Sequence, residues 1–159
     1  MRRRRAAGDK DFTGIIVREG EILDGINLRN VNLRGASFHS VSLVGADLSH
    51  ALLSGGYLSE AVLDGADLHR ADLHGTGFWK ASLRNCNLWG AQLNGADLGV
   101  ADFSGANLSE ADLRGARMDN TRLKGANLSH ADLRGADNVY LEGAILHETI
   151  MPDGSIQSS

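Results

Sequence analysis

Six histidines, one cysteine and twenty acidic residues are the side chains of this 159-residue sequence most able to do chemistry. His50, His69 and His74 invite a metal reading, which needs two or three imidazoles converging on one point with a carboxylate or thiolate. Cys86 stands alone and cannot form an internal disulfide. There is no G-x-x-x-x-G-K-[ST] phosphate loop and no G-x-S-x-G elbow, and the many glycines recur at a fixed period instead of clustering as a cradle. Whether the three histidines converge is therefore decided by the backbone that carries them.

That backbone is announced by one pattern. From Leu28 to Leu133 a large apolar residue returns every five positions, giving 22 centres of which 18 are Leu, with Phe38, Phe78, Phe103 and Met118 as the others. Two residues before each centre stands a small residue, mostly Ala, with Ile26, Val31, Val41, Gly56, Thr76, Cys86 and Thr121 as exceptions. A helix repeats its faces every 3.6 residues and a strand every 2, so this period fits neither. It fits a coil that turns a corner every five residues, with the small residue and the centre facing inward. Cys86 then reads as a buried substitute for Ala.

The runs ADLSHALLSG from Ala46 and ANLSHADLRG from Ala126 resemble the pentapeptide-repeat family over about two thirds of the chain. The resemblance implies an all-β, right-handed quadrilateral β-helix, four segments and twenty residues to a rung, with rungs stacked at roughly 4.8 Å. It also implies a non-catalytic protein. The ending TIMPDGS from Thr149 resembles the tails of small cyanobacterial members.

Gly closes every other pentapeptide from Gly25 to Gly135, with Asn85 as the substitute. That position is the third of a four-residue turn, where a type II turn needs positive φ. Two opposite faces are thus expected to carry type II turns, and the faces ending in Asn30, His50, Arg70, Glu110 and His130 another type. On a four-sided coil, residues twenty apart form columns. Asn27, Asp47, Asp67, Asn87, Asn107 and Asn127 form a structural amide ladder. Asp72, Asp112 and Asp132 run beside Arg34, Arg114 and Arg134 as solvated ion pairs of small individual value. His50 falls under Arg70, His69 under Trp89 in the neighbouring column, and His74 on the following face. The columns diverge around a corner, so no metal, cofactor or catalytic site is expected.

Both ends depart from the period. Residues 1–9, with Arg2 to Arg5 and no apolar stretch after them, read as a basic disordered tail; an electrostatic tether to an acidic partner is the sharper alternative. Residues 10–25 read as an N-terminal cap or imperfect first rung: Phe12, Val17 and Ile22 keep the five-spacing one residue out of phase with Leu28, so an irregularity near Gly20 or Gly25 must absorb it. Residues 26–135 form the β-helix. Residues 136–155 form the C-terminal cap, where Leu141, Leu146 and Met151 resume the spacing in a shifted phase, and 156–159 are expected to fray.

A net charge of −4 is too mild to mark a nucleic-acid binder. No apolar run approaches the ~18 residues of a membrane span, and no leader is seen, so a cytoplasmic protein is expected. The informative outward residues are apolar: Tyr57, Trp79 and Val100 on one face, Val44 and Val62 on the adjoining one. Exposed aromatics on a rigid frame are the usual anchors of interfaces. The leading expectation is a scaffold or protein-interaction module, with a homodimer through the coil ends as a further option. The alternative, implied by the family's fluoroquinolone-resistance branch, is a DNA mimic that binds gyrase. Mimicry needs a dense one-sided negative field, whereas acidic residues only slightly outnumber basic ones along this coil and no face is one-sided.

Overall fold

The computed structural model describes residues 10–158; the basic tail expected over 1–9 lies outside them. Each pentapeptide points two side chains inward and then turns, which leaves one extended residue between them to pair with the next rung. That residue makes a single parallel bridge to its equivalent twenty positions on. The first face runs Asn27, Asp47, Asp67, Asn87, Asn107, Asn127, and the second Asn32, Leu52, Asp72, Gln92, Asp112, Asp132. The third runs Ser37, Tyr57, Gly77, Asp97, Arg117, and the fourth Ser42, Val62, Ser82, Asp102, Arg122. The result is a square coil.

The inward positions hold their expected places. Every centre from Leu28 to Leu133 is buried, as are the small residues beside them. Each buried Leu contributes roughly 1.5–3 kcal/mol relative to exposure. The polar residues in small slots stay satisfied: Thr76, Cys86 and Thr121 donate to the carbonyls of Leu53, Leu63 and Leu98 at 3.0, 2.8 and 2.8 Å. Thr149 does the same to Leu128 at 2.9 Å, which places it in a small slot two residues before Met151.

The corners differ from expectation. Gly35 (φ 64°) and Asn85 (φ 56°) have the positive φ foreseen for their faces. The other two faces have it too: Asn30 at 55°, His50 at 56°, Glu60 at 59° and Val100 at 58°. All four corners therefore close alike, with the residue after the turn donating to the centre, as Val31 does to Leu28 at 3.2 Å and Ala36 to Leu33 at 2.9 Å. The reason is geometric. The bridges on either side fix where each turn begins and ends, and the third residue takes the same positive φ whether it is Gly, Asn, Glu or Val.

At the N-terminal end Ile22 is not inward: it is 65% exposed, and Leu23 is buried in its place. Glu21 donates to Arg18 at 3.1 Å, so the turn has slid one residue along, and Gly20 takes φ 74°. The extra residue shows in the bridges, Asp11 with Asn32 and Ile16 with Ser37, before Ile22 with Ser42 restores the twenty-residue step. At the other end two residues are missing, since Asn127 pairs with Ile145 and Asp132 with Ile150. Strand β1 (Thr149–Ile150) then pairs antiparallel with β2 (Ile156–Gln157). Ile156 and Gln157, expected to fray, are thus bonded into the end of the coil.

Val100 is a β-branched residue held at positive φ, a cost of order 1–3 kcal/mol. Val100→Asn is expected to stabilise the protein by about 1 kcal/mol, roughly 2–4 °C in Tm. Gly95→Val is expected to destabilise it by a similar amount through conformation alone, because no atom lies within 4 Å of an added Cβ. Unchanged melting temperatures for both would contradict the account of the corners.

Candidate interaction surface

Side-chain neighbours at the corners follow the backbone hydrogen bonds. The third residue of a corner donates to the carbonyl of the residue nineteen positions on, as His50 does to His69 (3.1 Å) and Arg70 to Trp89 (2.9 Å). Their side chains are accordingly adjacent. The His50 and His69 rings meet edge to face at 4.8 Å, and the Arg70 guanidinium lies 4.5 Å over the Trp89 ring. His130 and His147 form a like pair at 5.4 Å. A rule of twenty puts His50 and His69 in separate columns; the structure brings them together.

Their chemistry remains that of a packed corner. Asp67 Oδ1 accepts from the His69 backbone N–H at 3.1 Å and lies 2.8 Å from its Nδ1, fixing the ring. His74 is held in the same way by Asp72 at 2.6 Å on the next face. Among the described residues no group of His, Cys, Asp and Glu is placed to hold a metal ion. Burial pushes the Cys86 thiol up to about 12, so it is not a nucleophile at neutral pH.

The outward Asp and Asn residues are turn caps. Asn27, Asp47, Asn107 and Asn127 each accept from the backbone N–H two residues on, at 3.0 to 3.2 Å. The amide ladder is partial, with Asn87 donating to Asp67 at 3.1 Å and Asn107 to Asn87 at 3.3 Å. Arg114 pairs with Asp112 and Arg134 with Asp132, each at 2.6 Å. These guanidinium bonds hold both carboxyls below the usual carboxylate range.

The five apolar residues singled out from the sequence all face solvent: Tyr57, Trp79 and Val100 on the third face, Val44 and Val62 on the fourth. The two rings do not touch each other. Lys80 Nζ sits 4.1 Å over the Trp79 ring, and Trp79 leans on the next rung, where a Cβ at Gly99 would lie 3.2 Å from it. Tyr57 is left 62% exposed. Sequence reasoning missed Tyr140, 65% exposed beside Val100 in a cavity of about 470 Å³. The available signal was the spacing from Leu133 to Leu141, two residues short of two pentapeptides.

The description of pentapeptide repeats fits this sequence in eight copies, over residues 22–49, 42–79, 78–99 and 101–137. The chain belongs to the pentapeptide-repeat family. Its fold is that of the family, a right-handed quadrilateral β-helix. HetL, a pentapeptide-repeat protein involved in heterocyst differentiation regulation in the cyanobacterium Nostoc sp. strain PCC 7120, is 33% identical over 98% of this chain and 97% of its own, with a TM-score of 0.39. A pentapeptide-repeat protein of the Arabidopsis thaliana thylakoid lumen is 39% identical over 55% of this chain and 59% of its own (TM-score 0.41). QnrB1, a plasmid-mediated fluoroquinolone resistance protein, is 22% identical over 84% and 75% (TM-score 0.46). No curated protein matches the chain. No helix among the described residues is long and apolar enough to cross a membrane.

On this pentapeptide-repeat frame the His50 corner makes a pH-dependent contribution. Burial, then the charges of His69, Arg29 and Arg70, lower the His50 pKa against the opposing pull of Asp67. The unfolded chain therefore takes up this proton first as pH falls. The stability is fully present above the ordinary histidine range and is lost as pH drops through it. Tm is expected to fall more steeply between about pH 7.5 and about pH 5.5 in the native protein than in His50→Asn, which tolerates the same positive φ. Parallel curves would show that the corner does not resist protonation.

Proposed function

We propose that this chain is a non-catalytic scaffold that presents its side faces to a protein partner, with Tyr57, Trp79 and Val100 as the central contacts and Val44 and Val62 extending the surface around the next corner. The observation that carries this reading is the exposure of Tyr57 and Trp79 on a frame whose buried core does not include them. Both project outward, and the centres beside them, Leu58 and Phe78, are already buried. Large apolar side chains held on a rigid backbone lose little entropy when they bind. Lys80 over Trp79 and Glu60 beside it supply the polar rim. The regulatory involvement of HetL fits a protein that acts by binding.

Replacing both aromatics tests the surface without touching the core. Tyr57→Ser with Trp79→Ser is expected to abolish capture of the main partner by tagged protein from its native lysate, read by mass spectrometry, while Tm moves by a few degrees at most. Undiminished capture would move the interface to another face, and an unfolded double variant would make the aromatics structural.

DNA mimicry draws no support from the surface, because many of its aspartates are occupied as turn caps or as partners of Arg84, Arg114, Arg117 and Arg134. Micromolar protein is expected to leave gyrase unprotected from fluoroquinolone. Dose-dependent rescue of supercoiling would reverse this reading.

A further inference from the structure

The ladder between rungs is interrupted at one place between Leu23 and Gly135. Elsewhere the centre and the third corner residue each donate to the following rung, and the residue before the next centre donates back, as Phe103 does to Arg122, Val100 to Asp119 and Arg122 to Ala101. Met118 still donates to Asp137 at 3.0 Å and Gly125 to Gly143 at 2.7 Å. Between these two bonds, the Asn120 N–H, the Thr121 carbonyl and the Leu123 N–H have no backbone partner. Seven residues, 138–144, span what nine, 118–126, span one rung earlier, and residues 138–142 make no bridge to Arg122 on the fourth face. The opening contains two adjoining cavities of about 490 and 470 Å³, bordered by Thr121, Arg122, Leu123, Tyr140 and Glu142, with Val100 at one end and Lys124 at the other.

The Thr121 carbonyl and the Leu123 N–H flank the extended residue Arg122, with the Asn120 N–H on the corner just before it (φ 53°), and such an acceptor and donor ask for a complementary extended backbone. We propose that this opening is a docking groove for an extended peptide of a partner protein, which adds to the fourth face as a parallel strand in the place the chain's own next rung leaves empty. The alternation of a strand sets the side chains it prefers. One residue turns inward toward Leu123 and Tyr140 at the wall of the larger cavity, so it is apolar. Its neighbour turns outward beside the exposed Arg122 and Lys124, so it is acidic. Glu142 on the far wall, with Tyr140 beside it, disfavours a second acidic residue there. The groove deepens the scaffold reading and rests on it, by specifying a partner segment that the aromatic patch alone does not.

The chain itself supplies a probe, because Gly99–Gly105 already pairs with the other edge of the same strand and carries the required pattern, Asp102 outward and Phe103 inward. The acetylated, amidated heptapeptide GVADFSG, labelled with fluorescein, is expected to bind the full chain saturably and to slow hydrogen exchange at the Leu123 and Asn120 amides. N-methylation at its Asp, whose N–H would meet the Thr121 carbonyl, is expected to weaken binding at least about tenfold. N-methylation at its Phe, whose N–H points away from the groove, is expected to change affinity by less than about twofold. Equal binding of the two methylated peptides, protection at other amides, or no binding at millimolar peptide would overturn the groove. Protection of Leu123 that rises with protein concentration and no peptide would assign it to a second copy of the chain instead. None of these outcomes bears on capture through Tyr57 and Trp79, so the two readings fail separately.

Discussion

Each face of this coil is held to the next rung by a single bridge, so every bond between rungs depends on the following rung arriving in register. The inward placement of Leu and Ala, the shape of the corners and the neighbours of each outward side chain all derive from that count. Where the interval is kept, Leu28 donates to Asp47 at 2.7 Å; Leu128 donates to Ile145 at 2.8 Å although the interval is two residues shorter, because the shortened segment lies before Ile145 and the pairing is re-established beyond it. Opposite the shortened segment, at Asn120 to Leu123, the bonds are lost together. Burial stabilises the coil, but the ladder decides which residues are buried.

The core was legible in the sequence because it repeats: the five-residue period shows which two positions face inward, while the four sides and the right hand were implied by the family resemblance. The corners were legible only in part. Alternating Gly suggests two kinds of turn, yet Glu60 and Lys80 adopt the same positive φ as Gly55 and Gly75. Residue type reports how cheaply a conformation is reached, not whether the surrounding bonds impose it. Ile22 was misplaced for a related reason: five-spacing gives Val17 and Ile22 equal claims to the core, and only the turn at Arg18–Glu21 shows where the extra residue goes. Of the candidate surface, the exposure of Tyr57, Trp79, Val100, Val44 and Val62 could be read in advance, since it follows from position within the pentapeptide. The contacts of Trp79 could not, because they depend on rotamers and on the nineteen-residue offset across a corner.

The same offset changes how the surface charge is read. An Asp before a centre is a hydrogen-bond acceptor for the corner, and Asn107 and Asn127 replace Asp47 in that role without loss of the bond. Much of the acidity therefore belongs to the folding of the corners, and Arg residues one rung away neutralise more of it. Arg117 reaches Asp97 at 2.6 Å and Asp119 at 3.3 Å. What remains distinctive on the exterior is its few apolar side chains and the stretch of unpaired backbone from Asn120 to Leu123.

The square cross-section has a consequence for how such a surface can be rearranged over generations. Inserting or removing one pentapeptide inside the coil keeps Ala and Leu inward, yet carries everything beyond it through a quarter turn. Tyr57 would then look out in a different direction from Trp79 with no change in either residue and little disturbance of the interior. Losing a whole rung shortens the rod and leaves every direction as it was. Length changes in fives thus redistribute recognition residues among four compass points, while changes in twenties only alter the distance between them.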